Sequence, residues 1–161
     1  MRLHPVIVAG GILGLGVGGF FDGIVLHQIL QWHHMVCVTA HCQALTLEQA
    51  RVQTRQDGYF HLGVLVLTII GSYRTFRAAG RPDAPCSPGV FAGSLLCGWG
   101  VFNFVEGLID HQLLGVHHVL PCSPHWFGAD MAFLASGVVF FLVGWSLLPS
   151  TASGPDDAGR V

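Results

Sequence analysis

Lysine is absent from this chain, and charge of either sign is scarce. Seven arginines and nine acids make 10% charged residues in a chain of 161 that is 52% hydrophobic. A typical soluble domain carries about 25% charged residues. That balance excludes an ordinary water-soluble globule. The arginines stand at 2, 51, 55, 74, 77, 81 and 160, and the net charge is −2. They form no basic stripe, so nucleic acid is not an expected partner. The five cysteines contain no C-x-x-C zinc or haem-attachment spacing. The glycines follow no strand and precede no lysine, which excludes a phosphate loop.

What the chain has in excess is glycine, histidine and long apolar runs. Hydropathy marks four spans, at about 5–34, 58–76, 90–118 and 127–148. A span needs roughly 20 apolar residues. The second is the shortest, and the first and third overshoot by about two turns, so they should tilt or protrude. The expected fold is all-α, an integral membrane four-helix bundle over residues 1–149. Residues 150–161 form a Pro/Gly/Asp-rich tail expected to be disordered and cytoplasmic. The apolar run after Met1-Arg2 lacks a small-x-small cleavage site before Asp22 and has a counterpart in the third span, so it reads as a span and not a signal peptide. Gly10, Gly14 and Gly18 form a small-residue ladder suited to close helix contact.

One stretch organises the rest: Phe21-Asp22-Gly23-Ile24-Val25-Leu26-His27-Gln28-Ile29-Leu30-Gln31-Trp32-His33-His34. It recurs at an offset of 84, with 22→106, 27→111, 28→112, 33→117 and 34→118. Gly14, Gly16 and Phe20 fall on Gly98, Gly100 and Phe104 in the same register. Two copies in register point to an internal duplication. Arg2 and the group Arg74, Arg77 and Arg81 place both termini and the loop at 74–89 in the cytoplasm, although Arg51 and Arg55 oppose this. Spans one and three then run the same way, as a parallel repeat of two helical hairpins. Their histidine-rich ends emerge on the outer, oxidising side. A disulfide is expected there, Cys37 or Cys42 with Cys122.

Ionisable groups inside a span are costly unless paired or ligated. Histidine and carboxylate together suit zinc, iron or manganese, and histidine also suits copper. The metal-ligand pool is Asp22, His27, His33, His34, Asp57, His61, Glu106, Asp110, His111, His117 and His118. Gln28, Gln112, His125 and Asp130 are candidates for hydrogen bonds behind the ligands. On α-helical geometry, His27 and His34 share one line while Asp22 and His33 share another, about 120–140° away. His27 lies about 10 Å deeper than His34, and Asp22 about 18 Å deeper. The nearest arrangement is the carboxylate-bridged di-metal four-helix bundle, with a different spacing.

The repeated stretch, together with Asp57-Gly58-Tyr59-Phe60-His61 and Glu106-Gly107-Leu108-Ile109-Asp110-His111-Gln112, resembles a bacterial family of predicted multipass membrane proteins of unknown function, DUF2243. The resemblance implies a small inner-membrane protein and names no reaction. The leading functional expectation is a membrane oxidoreductase built on iron, copper or zinc, with two ions, acting on a small lipophilic substrate. The alternatives are transport or delivery of copper, zinc or iron, and a bis-histidine haem electron carrier. The remainder is a proton relay or an assembly subunit without metal. The expected surroundings are a lipid bilayer and a homo-oligomer.

Overall fold

The computed structural model describes residues 3–37, 44–85 and 87–149. Those residues form four long helices, each long and apolar enough to cross a membrane. Helix α1 covers Pro5–Phe21 and continues as a π-helical segment, Asp22–Ile29. Helix α2 covers Leu47–Ala79. Helix α3 covers Pro88–Glu106 and continues as a second π-helical segment, Gly107–Leu113. Helix α4 covers Trp126–Ser146.

Each start has a local cause. The Ser87 hydroxyl accepts from the Val90 amide at 3.1 Å, with Pro88 at the first helical position. Thr46 and Gln49 form a reciprocal capping box. That box starts α2 eleven residues before the expected boundary at 58. The added turns carry Glu48, Gln49, Arg51, Gln53, Thr54, Arg55 and Gln56, too polar for hydrocarbon, so hydropathy did not register them.

The first and third spans end early, at Ile29 and Leu113, instead of at 34 and 118. In both, bonding widens to i→i−5: the Leu30 amide donates to the Val25 carbonyl and Leu114 to Ile109, each at 2.8 Å. Gln31 and Gly115 then turn left-handed, at φ 50° and 56°. The chain reverses there, and both His-His pairs leave the helix axis and fold back against the bundle.

In the membrane plane the order is α2, α1, α3, α4, because α1 packs on α2 and α3, and α3 packs on α1 and α4. Glycine sets these approaches. A Cβ on Gly98 would meet the Gly11 carbonyl, and one on Gly14 the Leu95 carbonyl. Gly71 stands against Leu13 on one flank, and Gly144 against Cys97 on the other. These two contacts correspond at offsets of 84 for α1 onto α3 (13→97) and 73 for α2 onto α4 (71→144). Asn103 donates to the Ser136 hydroxyl at 2.9 Å, a polar tie between α3 and α4. The outward faces stay apolar, with Ile69, Phe76, Val139 and Leu142 all more than half exposed.

Candidate metal centre

The π-helical turns aim the site. In an α-helix, residues five apart diverge around the axis. With i→i−5 bonding they share a face, so Asp22 and His27 point inward together, as do Glu106 and His111. The reversals at Gln31 and Gly115 return His33 and His117 to the same interior. The two separate lines expected from uniform α-helical winding therefore merge into one cluster. The five-residue step, present in both copies, was the signal for this.

Six side chains form the cluster: Asp22, His27, His33, Glu106, His111 and His117. None is more than 6% exposed. They comprise three pairs related by the offset of 84. Three overlapping sets, His27–His33–His117, Glu106–His111–His117 and Asp22–His27–Glu106, offer donor atoms within 4.8 Å of one another. Glu106, His117 and His27 each belong to two sets.

Around the cluster sits a ring of hydrogen bonds. Asp57 faces His27 Nδ1 at 3.2 Å and His34 Nδ1 at 2.7 Å, and accepts from the Met35 amide at 2.8 Å. Asp130 repeats the pattern: His118 Nδ1 at 2.7 Å, the Val119 amide at 2.9 Å, and His111 Nδ1 nearby at 3.7 Å. A carboxylate only accepts, so His27 and His34 donate through Nδ1, and neutral His27 keeps a bare Nε2. His33 donates through Nδ1 to the Val119 carbonyl at 3.0 Å, which again bares Nε2. Phe60 stacks on His27 and Phe133 lies against His111, with centroids 5.7 and 5.3 Å apart.

Inside the ring, both oxygens of Asp22 and of Glu106, with Nε2 of His27 and His33, have no hydrogen-bond partner among the described residues. Buried polar atoms are satisfied in the great majority of cases, so this concentration demands an explanation. His27 Nε2 lies 3.0 Å from Asp22 Oδ2, near but outside hydrogen-bond geometry. His111 Nε2 and His117 Nε2 are 3.2 Å apart. Donor bonds of 2.0–2.1 Å place adjacent ligands on one ion roughly 2.8–3.4 Å apart, octahedral to tetrahedral. These two spacings fall in that range, and the clustered donors could hold a metal ion. Burial pushes His33 and His117, both beyond the helix ends, down to about 3 from 6.5, with neighbouring imidazoles adding to the effect. Both are neutral at pH 7, the form that ligates a metal.

The remaining candidates stand outside. His34 and His118 bond the outer oxygens of Asp57 and Asp130, with side chains 25% and 30% exposed. Asp57 lies behind His27, as Asp130 lies behind His111. His61 turns away, stacking on Phe20 at 6.2 Å while its Nδ1 faces Gln28 Nε2 at 3.4 Å. Asp110 lines a cavity on the lipid side of Glu106. Gln112 donates to Asp130 Oδ2 at 3.2 Å. His125 precedes α4 and is exposed. Cys37 is disulfide-bonded, and Cys42 lies outside the described residues, as does the tail at 150–161. Sequence reasoning named all six cluster residues but not Met35 and Val119, whose backbone groups bond Asp57, Asp130 and His33.

Fold and site together define a multipass membrane protein with a buried imidazole–carboxylate cluster at one end of its bundle. Residues 9–151 match the family described as predicted membrane protein (DUF2243), and the chain belongs to that family. No curated protein and no solved structure matches it.

Proposed function

We propose that this protein is a membrane oxidoreductase whose cluster binds a pair of transition-metal ions. One observation carries the reading. Six buried donors, in three offset pairs, converge on a common interior: Nε2 of His27 and His33 and all four oxygens of Asp22 and Glu106 are unpartnered there among the described residues, while Asp57 and the Val119 carbonyl hold Nδ1 of His27 and His33 from behind. The shared memberships of Glu106, His117 and His27 favour two ions over one. His27, His33 and Asp22 would hold the first, and His111, His117 and Glu106 the second. Mixed imidazole and carboxylate donors suit iron, and also copper or zinc. Iron or copper, when bound, would supply redox chemistry, which zinc would not. The chain's own residues exclude water from them, fix the His27 and His33 tautomers through Asp57 and the Val119 carbonyl, and present a lipid-side face at Glu106 to a small lipophilic substrate.

Transport across the bilayer is less favoured, since residues 5–21 of α1 contain no ionisable group to continue a ligand path. A porphyrin between two axial histidines needs room for the macrocycle. The inner rings, with centroids 4.5–6.1 Å apart, already fill that space. Orientation follows the earlier expectation of termini in the cytoplasm of a bacterium and the cluster toward the outside. The disulfide-bonded Cys37 at the cluster end supports it. A groove of about 740 Å³ over that end, lined by Gln31, Trp32, His34 and Gln53, offers ions an approach.

The test is elemental analysis and electron paramagnetic resonance on detergent-purified protein, beside the double variant His33→Ala/His117→Ala. The expected result is two equivalents of a redox-active metal, lost in the variant. Wild-type protein that takes up no metal on reconstitution, or a variant that retains the wild-type content, would overturn the reading.

A further inference from the structure

The two halves of the bundle differ beside the cluster. On the α4 side, the Trp99 ring fills the groove beside the cluster, 5.1 Å from Phe21 and 5.3 Å from Phe140. Gly18 admits it, since a Cβ there would meet that ring. At the corresponding position on the α2 side stands Leu15 (15→99), which is smaller. The result is a cavity of about 380 Å³ lined by residues including Leu15, Phe60, Phe102, Val105, Glu106 and Asp110. Val105 is 45% exposed on the lipid-facing surface, so the cavity opens sideways into the bilayer. Its volume falls within the range of small-molecule sites, about 300–1,000 Å³.

Chemistry differs as well as shape. The cavity holds two carboxyls, Glu106 and Asp110, where the other half has Asp22 and Leu26. Glu106 belongs to the donor sets of the cluster, so of the two carboxyls Asp110, half-buried at the cavity, is the one left to a ligand arriving from the lipid side. Acyl chains cannot satisfy a carboxyl there. A flat ring bearing hydroxyls can, while its apolar tail stays in the bilayer. Phe60 and Phe102, with centroids 6.2 Å apart, supply aromatic walls for such a ring.

We propose that this cavity is the entry and binding site for a lipid-soluble quinol, with its ring beside Phe60 and Phe102 and a ring hydroxyl donating to Asp110. The proposal names the substrate class of the oxidoreductase reading and rests on that reading for its purpose, but binding is measurable without metal. The experiment is calorimetric titration of a short-chain benzoquinol into protein in lipid nanodiscs, with and without metal, and elemental analysis of each variant. Leu15→Trp, which places in this groove the residue that closes its counterpart, should abolish saturable binding and leave metal content unchanged. Asp110→Leu should weaken binding about tenfold through loss of a charged hydrogen-bond acceptor, and it carries the test if Leu15→Trp fails to fold. Wild-type protein showing only bilayer partitioning, an unaltered affinity in both variants, or equal binding of a long-chain alcohol would overturn the proposal. Metal content, read separately, would still stand or fall with the cluster.

Discussion

His33 and His117 lie stacked, with ring centroids 4.8 Å apart and planes 13° from parallel, although 84 residues separate them in the chain. Each comes from a reversal beyond its helix end, and the backbone of one half holds a ring of the other: His33 bonds the Val119 carbonyl. Two imidazolium ions would not stack this way in a buried site. Both rings are neutral, and the same burial that pushes them to about 3 makes them ready ligands.

This has a consequence for acid stability of the metal-stripped protein. In the unfolded chain each imidazole takes up a proton near 6.5, whereas in the folded protein it resists protonation until about 3. The unfolded state therefore binds more protons between those values, and stability falls as pH drops from 6.5 toward 3. The slope is about 1.4 kcal/mol per pH unit for each ring once below 6.5. Thermal midpoints from pH 8 to 5 should fall in the acid half of that range. His33→Asn should flatten the fall, and an unchanged slope would contradict the assignment.

Neighbouring histidines should behave differently. His33 presents its Nε2 to the cluster, whereas His34 bonds only Asp57 from outside, at 2.7 Å. His33→Ala is expected to remove stoichiometric metal. His34→Ala, which loosens the support of a ligand's own support, should weaken affinity by at most about 10–100-fold. The same ranking should hold for His117 over His118. Competition with a chelator of known affinity checks both pairs, and equal losses within a pair would contradict the geometry.

Four spans, and a pool of eleven residues that contains the six of the cluster, were legible because hydropathy and a three-histidine repeat survive any local change of winding. The choice between His33 and His34 was not. It depends on two π-helical turns and on left-handed backbone at Gln31 and Gly115, and only the glycine advertises such a conformation. The start of α2 was missed because its first turns are polar and a hydropathy window sees only apolar length. Asp57 read as a ligand, next to the expected start of the second span. It lies within α2, and its partners on residues 27, 34 and 35 arrive from across the bundle.

Glycine positions at the central crossing should be intolerant of side chains. A Cβ on Gly98 would run into the Gly11 carbonyl, a backbone atom that cannot rotate away. Gly98→Val should destabilise by about 1–3 kcal/mol through overpacking. Gly58 has nothing within 4 Å of a built Cβ. Gly58→Ala should therefore be neutral or stabilising by up to about 1 kcal/mol, the helix-propensity difference. Thermal denaturation in detergent distinguishes the two, and a similar response to both would argue against a close α1–α3 approach.

Asp57 and Asp130 give the most direct test of equivalence between the halves. Each carboxylate accepts from one backbone amide and one outer histidine, and each stands behind a cluster histidine, hydrogen-bonded at 3.2 Å for His27 and beyond hydrogen-bond distance at 3.7 Å for His111. Truncation to alanine leaves those donors facing apolar space, at about 1–3 kcal/mol for each that finds no substitute. Asp57→Ala also frees the His27 ring to change tautomer, which should lower metal affinity about 10–100-fold. Asp57→Ala should act on the ion held by His27, and Asp130→Ala on the ion held by His111. Each single variant should then keep one tightly bound equivalent and release the other at lower chelator concentration. The tighter contact at His27 predicts the larger effect for Asp57→Ala. If either variant released both ions together, the two positions would share one indivisible site, and the assignment of one ion to each half would have to be abandoned.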